Sequence, residues 1–170
     1  MDTERKAATT LKGNPFTLLG PELKVGDKAP EFSVLAGDLS AVTLASSKGK
    51  TRLILSVPSL DTPVCDAETR KFNEEAAKFN GVETIVVSVD LPFAQGRFCQ
   101  TAGIKNVKTT SDHRDTSFGK AYGTLIKELR LLSRAIFIVD ANDTVQYVEY
   151  VPEVANHPNY DAALNSLKAK

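Results

Sequence analysis

The sequence is poor in cysteine, since its 170 residues contain only two. Two cysteines are too few for the disulfide framework of a small secreted protein, and in a reducing compartment such a pair is more often inert or catalytic than structural. Long apolar runs are missing too. No stretch approaches the roughly 18 residues that a membrane-spanning helix needs, and residues 1–8 contain no apolar signal core. We therefore expect a soluble, cytoplasmic protein that does not act at a membrane.

The chain also lacks an excess of charge of either sign. Twenty-one Lys and Arg residues balance twenty-one Asp and Glu residues. Without a net field, the sequence gives no reason to expect nucleic acid or an anionic membrane as a partner, although local charged patches can exist on a neutral protein. Internal repeats and low-complexity tracts are missing as well. With 42% hydrophobic residues, residues 1–170 are expected to form one globular domain.

Apolar periodicity predicts an alternation of strands and helices. Residues 52–57 and 135–139 are compact apolar runs, as in strands buried on both faces, whereas residues 66–80 are apolar on one side, as in a surface helix. The predicted strands cover residues 9–11, 16–18, 31–34, 41–44, 52–57, 85–89, 107–110, 135–139 and 145–151. The predicted helices cover residues 66–80, 92–102, 115–122 and 160–170. This order indicates an α/β fold of the thioredoxin type, with a central mixed sheet flanked by helices.

Residues 1–30 predict an N-terminal extension to that fold. Gly13-Asn14-Pro15 is turn-forming and separates the first two short strands, which favours a β-hairpin. Residues 21–30 then form a connector. The extension is accessory β-structure in this prediction.

The loop before the 66–80 helix contains the first cysteine, Cys65, at or just before the first helical turn. Unpaired backbone N–H groups and the positive end of the helix dipole favour an anion at this place, and a thiolate is such an anion. Pro58 and Pro63 stiffen the loop, and the Thr62 hydroxyl can both donate and accept a hydrogen bond. The alternative is that Cys65 is a small buried hydrophobic residue behind a capping threonine.

The same loop contains the pattern P-x-x-x-[TS]-x-x-C, filled by Pro58, Thr62 and Cys65. This pattern is the active-site signature of the peroxiredoxins. The chain particularly resembles their thiol peroxidase subfamily, the atypical two-cysteine peroxiredoxins, and the matches cover nearly the whole sequence. Further matching stretches are Arg97-Phe98-Cys99, Phe118-Gly119-x-x-Tyr122-Gly123 and Leu131-Leu132-Ser133-Arg134-Ala135.

The resemblance implies a thiol-dependent peroxidase with a role in antioxidant defence and redox homeostasis. Cys65 would be the peroxidatic cysteine, whose thiolate attacks a hydroperoxide and becomes a sulfenic acid. Thr62 would hydrogen-bond the thiolate and the peroxide, Pro58 would shield the site from water, and Arg134 would keep the sulfur ionised. Neither a metal nor an organic cofactor is needed for this chemistry.

The resemblance also implies a role for the second cysteine. Cys99 would be the resolving cysteine, which forms an intramolecular disulfide with Cys65. Because the Cα atoms of a disulfide lie within about 7 Å, two cysteines on separate helices would require local unwinding around both. Thioredoxin is the implied reductant, and a homodimer is the implied assembly.

Each implied role has a simpler alternative. Arg134 could form an ordinary surface ion pair at a strand edge, Thr62 could serve as a helix cap or a turn residue, and Cys99 could be a buried, inert thiol on one helix face with Phe93 and Phe98.

The whole chain has functional alternatives as well. A thiol-disulfide exchange protein on the same fold usually contains Cys-x-x-Cys, which is missing here. An interaction module with passive cysteines is a further possibility, as is a metal site formed by Cys65, Cys99, His113 and His157. These four residues lack the short paired spacings of metal ligands. His113 stands where the family has an aromatic residue, and we expect both histidines to be surface or packing residues.

Overall fold

The computed structural model describes residues 2–169, which form ten strands and four α-helices. The strands are β1 (Glu4–Leu11), β2 (Asn14–Leu19), β3 (Ser33–Leu35), β4 (Ala41–Thr43), β5 (Thr51–Ser56), β6 (Val82–Ser88), β7 (Lys108–Ser111), β8 (Leu125–Ile126), β9 (Ala135–Val139) and β10 (Val145–Tyr150). The helices are α1 (Pro63–Ala76), α2 (Pro92–Ala102), α3 (Ser117–Ala121) and α4 (Tyr160–Lys168). No helix in the described range is both long and apolar enough to span a membrane.

Seven strands form the central sheet, in the order β10-β9-β5-β6-β7-β3-β4. The β5, β6 and β7 strands are parallel, whereas β9 pairs antiparallel with β5, so the sheet is mixed. Alternate residues of β5 face opposite sides: Ile54 packs in one apolar core, and Leu53 and Leu55 pack in the other. The predicted α/β fold with a central mixed sheet flanked by helices is confirmed.

Helices cover the two faces of this sheet unequally. Phe72 of α1 and Leu164 of α4 pack in the same core as Leu53, and Phe98 of α2 borders it. Phe118 of α3 packs in the opposite core, with Ile54. Helices α1 and α2, which contain Cys65 and Cys99, therefore lie on the same face of the sheet.

The N-terminal hairpin belongs to a second, three-stranded sheet in the order β1-β2-β8. Its turn lies at Lys12-Gly13, where both residues have positive φ, as a two-residue hairpin turn requires. The predicted turn at Gly13-Asn14-Pro15 was therefore displaced, since Asn14 and Pro15 are already paired in β2. The two-residue strand β8 was missed because it is too short to show a periodic pattern.

Helix α1 begins earlier and ends earlier than predicted. Pro63 occupies its first position, where the missing N–H has no helical partner in any case, and Thr62 precedes it with extended backbone angles. The predicted start at residue 66 was three residues late, and the predicted end at residue 80 was four residues late. This start places Cys65 at the third residue of the helix, inside the first turn.

The other helices agree more closely with the prediction. The bounds of α2 are as predicted, and Gly103 ends the helix in the left-handed region, with φ 69°. Helix α3 is shorter than the predicted 115–122 at both ends. The predicted final helix extended to residue 170, which lies outside the described residues.

Candidate active site

The Cys65 thiol is completely buried in the first turn of α1. Nη2 of Arg134 donates a hydrogen bond to its Sγ atom over 3.3 Å. The thiol therefore has both the positive end of a helix dipole and a guanidinium beside it, and both stabilise a thiolate. The simpler interpretation of Cys65 as a small hydrophobic residue leaves this charged neighbour unexplained.

Arg134 lies directly before β9 and is 1% exposed. Its Nε donates to the carbonyl oxygen of Val154 over 3.0 Å, and its Nη1 donates to the Glu68 carboxylate, which is also fully buried. Helix α1, through Cys65 and Glu68, and the loop after β10, through Val154, thus fix the guanidinium in place. The alternative of a surface ion pair at a strand edge is wrong for Arg134.

Glu68 is the site residue that the sequence interpretation missed. Burial raises the pKa of its carboxyl to about 7, although the Arg134 guanidinium opposes this rise. The sequence did contain a signal for it, because Glu68 follows Cys65 by three positions on α1 and so lies on the same helix face. The Cys65 thiol and the Glu68 carboxyl therefore both accept a hydrogen bond from the Arg134 guanidinium, which stabilises the anionic form of each.

Thr62 and Pro58 lie at the entrance to this arrangement. The Thr62 hydroxyl donates to the carbonyl oxygen of Ser59 over 2.9 Å and, among residues 2–169, makes no hydrogen bond that caps α1. Of the simpler alternatives for Thr62, the turn residue therefore fits better than the side-chain cap. Both residues line a cavity that Arg134 also lines. The roles of Thr62 and Pro58 toward the thiolate stay predictions, because the Thr62 hydroxyl is bonded to Ser59 here.

That cavity has a volume of about 370 Å³, and its walls are almost entirely apolar. The hairpin tip, the loop before α1, the segment around β8 and the loop after β10 contribute to it. Its lining residues are Leu11, Lys12, Pro58, Thr62, Pro63, Val64, Ile126, Leu129, Leu131, Arg134, Val154 and Ala155. The N-terminal extension is therefore part of the wall beside the site.

Cys99 lies on α2 and is partly buried. Its Sγ is 3.3 Å from the Thr109 hydroxyl on β7, and both cysteines are free thiols. The structure thus assigns different partners to the two sulfur atoms and does not join them. The alternative that Cys99 is an inert thiol on one helix face with Phe93 and Phe98 is wrong about Phe93, because Phe93 is 68% exposed. Phe98 and Cys99 do border the same core. The disulfide itself stays a prediction.

The two histidines lie at the surface of the protein. Both are exposed, and Nδ1 of His157 is 2.8 Å from the Tyr160 hydroxyl. Within the described part of the chain, no group of three or more His, Cys, Asp or Glu side chains is placed to hold a metal ion. The four residues of the alternative metal site are therefore not brought together.

Comparison with known proteins places this geometry in a family. The model of the Redoxin family matches residues 24–164. The chain belongs to the Redoxin family. It is 68% identical to a thiol peroxidase of Halalkalibacterium halodurans over 163 residues, which are 96% of this chain and 98% of that protein. It is 55% identical to a thiol peroxidase of Bacillus subtilis, with the same coverage of both chains.

Solved structures agree with this assignment. The crystal structure of a peroxiredoxin-like protein from Aquifex aeolicus matches with a TM-score of 0.90 and 48% identity, and the match covers 97% of this chain and 98% of that one. A thiol peroxidase from Chromobacterium violaceum matches with a TM-score of 0.86 at 24% identity, over 95% of each chain, which supports the fold alone. The resemblance to the thiol peroxidase subfamily of the peroxiredoxins is confirmed.

Proposed function

We propose that the chain is a thiol-dependent peroxidase of the peroxiredoxin type, which reduces hydrogen peroxide and organic hydroperoxides to water or alcohols. The observation that carries this proposal is the hydrogen bond from Arg134 to the buried Cys65 thiol in the first turn of α1. The names of the most similar relatives support the same activity. The role expected in the cell is antioxidant defence and redox homeostasis in the cytoplasm.

In the first step, the Cys65 thiolate attacks one oxygen of the hydroperoxide. The O–O bond breaks, the sulfur becomes a sulfenic acid, and the second oxygen leaves with a proton as water or an alcohol. Arg134 stabilises the thiolate and then the negative charge on the departing oxygen. Thr62 turns its hydroxyl toward the peroxide, and Pro58 keeps water away from the sulfur.

In the second step, the Cys99 thiolate attacks the sulfur of the Cys65 sulfenic acid. A disulfide forms, and the sulfenic oxygen leaves as water. Because Cys99 is held beside Thr109 on β7, this step requires α2 to move. A thioredoxin then reduces the disulfide by dithiol exchange, and we expect the working assembly to be a homodimer with no nucleic acid or membrane partner.

The proposal is tested by adding one equivalent of cumene hydroperoxide to the reduced protein. We expect rapid loss of both thiols, a mass decrease of about 2 Da from the two lost hydrogens, and a peptide cross-link between Cys65 and Cys99 within one monomer. Thiol titration and intact and peptide mass spectrometry measure all three. Persistence of both thiols would reject a peroxidase. Insulin reduction without peroxide would instead indicate a disulfide exchange protein.

The apolar cavity predicts a preference for hydroperoxides with an alkyl or aryl substituent. Leu131 is half-buried and lines this cavity. Leu131→Ser should lower kcat/KM for cumene hydroperoxide roughly tenfold, because the substituent loses an apolar contact, and should leave hydrogen peroxide reduction unchanged. Steady-state kinetics with both substrates measure the difference. Leu39→Ser, at a half-exposed leucine outside the cavity, is the control. An equal loss of kcat/KM for both substrates would show that the cavity does not select between them.

A further inference from the structure

A chain of hydrogen bonds begins in the loop that leads to Cys65. The carboxylate of Asp90, just after β6, accepts from the Ser59 hydroxyl over 2.7 Å and from the backbone N–H of Leu60 over 2.8 Å. The same carboxylate accepts from the hydroxyl of Ser88, the last residue of β6, over 2.7 Å. Asp90 therefore ties the loop before α1 to the end of the neighbouring strand.

The chain of hydrogen bonds ends on α2. Nε2 of Gln95 donates to the Ser88 hydroxyl over 2.9 Å and to the carbonyl oxygen of Thr110 on β7 over 2.7 Å. Gln95 is 2% exposed, although it is a polar residue. An uninterrupted polar link thus connects the loop that holds Cys65 in place with the helix that contains Cys99.

Gln95 and Cys99 are four residues apart and lie on the same face of α2. Gln95 contacts Thr110, and Cys99 contacts Thr109, so both side chains dock this face onto β7. Disulfide formation requires Cys99 to leave Thr109 and to approach Cys65. If the helix moves away from the strand as a unit, the two hydrogen bonds of Gln95 break before the sulfur atoms meet.

We infer that Gln95 is a positioning residue for the second chemical step, because its hydrogen bonds to Ser88 and Thr110 hold α2 on the sheet while Cys65 reacts with the hydroperoxide. Release of Gln95 limits the rate of disulfide formation. This inference rests on the proposed function, since it concerns the resolving step of that reaction.

The link has a chemical consequence for Cys65. While α2 stays in contact with β7, Cys99 cannot reach the Cys65 sulfenic acid. The sulfenic acid can then react with a second hydroperoxide to give a sulfinic acid. Slow release therefore favours over-oxidation, and fast release protects the thiol. Gln95 sets the balance between these two fates without touching the reacting sulfur.

Gln95→Leu tests the inference in the full-length protein, since leucine fills a similar space without the two hydrogen bonds. Rapid-quench alkylation and mass spectrometry follow the loss of the Cys65 thiol and the appearance of the disulfide separately. We expect disulfide formation to accelerate roughly tenfold, with sulfinic acid yield at high peroxide falling in proportion, while the bimolecular reaction with cumene hydroperoxide stays within about twofold.

Two further variants make the test specific. Ser88→Ala removes the hydroxyl that bridges Asp90 and Gln95. Its effect should not add to that of Gln95→Leu, because both variants remove the hydrogen bond between Gln95 and Ser88. Ser88→Ala also serves if the Gln95 variant does not fold. Thr84→Val removes a hydroxyl on β6 that is buried and has no hydrogen-bond partner among residues 2–169. This control should leave both rates unchanged.

Several results would overturn the inference while the proposed function stands. An unchanged rate of disulfide formation in Gln95→Leu would mean that only the part of α2 after Gly96 unwinds, while residue 95 stays on the sheet. Fully additive effects of Gln95→Leu and Ser88→Ala, or equal acceleration in Thr84→Val, would mean a general loosening of the sheet. If the natural protein forms neither sulfenic acid nor disulfide, the proposed function fails first and the inference with it.

Discussion

Cys65→Ser is expected to abolish hydroperoxide consumption, even in a single turnover, with a loss of roughly 10⁴-fold or more. A serine hydroxyl stays protonated at neutral pH, so neither the helix dipole nor Arg134 has an anion to stabilise. The measurement is the disappearance of cumene hydroperoxide from an equimolar mixture with the reduced variant, followed by chromatography. The serine side chain is nearly isosteric with cysteine, so the buried site at the start of α1 should keep its packing.

Cys99→Ser is the matched control for this prediction. The variant should consume one equivalent of hydroperoxide at a rate within about twofold of the natural protein, because Cys99 contacts Thr109 rather than the reacting sulfur. It should then stop with Cys65 as a sulfenic acid, and thioredoxin-dependent turnover should be lost. If the first oxidation is lost equally in both variants, the assignment of the two cysteines to separate steps is wrong.

Arg134→Met is expected to slow the reaction of Cys65 with hydroperoxide by roughly 10²- to 10³-fold. The variant removes the donor that lies 3.3 Å from Sγ and the positive charge that stabilises the departing oxygen. The rate of Cys65 alkylation at neutral pH should fall as well, because the positive neighbour that stabilises the nucleophilic sulfur is lost. Stopped-flow oxidation and iodoacetamide alkylation measure the two effects. Arg97→Met, at an exposed arginine on α2, is the control and should change neither rate.

The same substitution should make stability depend more strongly on pH. Arg134 opposes the effect of burial on Glu68, so its removal raises the pKa of Glu68 further above its ordinary value near 4.5. The folded state then binds a proton that the unfolded state has released, and stability falls as pH rises from about 4.5 through the folded pKa. Thermal unfolding of Arg134→Met should therefore occur at a lower temperature at pH 8 than at pH 5.

Glu68 provides the internal check on that explanation. The double variant Arg134→Met, Glu68→Gln lacks the carboxylate that loses its counter-ion in Arg134→Met, so most of the extra pH dependence should disappear while peroxidase activity stays low. A pH dependence that persists in the double variant would assign the effect to another group. Unchanged alkylation and oxidation rates in Arg134→Met would remove Arg134 from the site.

Local sequence was sufficient for several features of this protein. The largely apolar runs at residues 52–57 and 135–139 predicted central strands because a strand buried on both faces favours apolar side chains at most positions. Gly103 predicted the end of α2 for a local reason as well, since it adopts a left-handed backbone conformation. The signature of Pro58, Thr62 and Cys65 identified the loop that contains the thiol because its members are close in sequence.

The helix boundaries show where local reasoning was less accurate. The change of period after Asp66 suggested a start there, but Pro63 already fits the first helical position. The difference of three residues matters chemically, because it moves Cys65 from the edge of the helix into its first turn. Strand β8 exists through pairing with β2 and has no pattern of its own.

By itself, the sequence determined the order of the helices and of the strands other than β8, the reactive loop and the two cysteines, because these depend on residues that are neighbours in the chain. Only the tertiary structure decided that Glu68 shares Arg134 with Cys65, that the hairpin tip lines the cavity, and that Asp90, Ser88 and Gln95 join the two cysteine-bearing segments. The contacts that decide each of these arrangements join distant residues, such as Glu68 with Arg134 and Ser59 with Asp90. Their energy comes from burying polar and charged groups together, which no local pattern records.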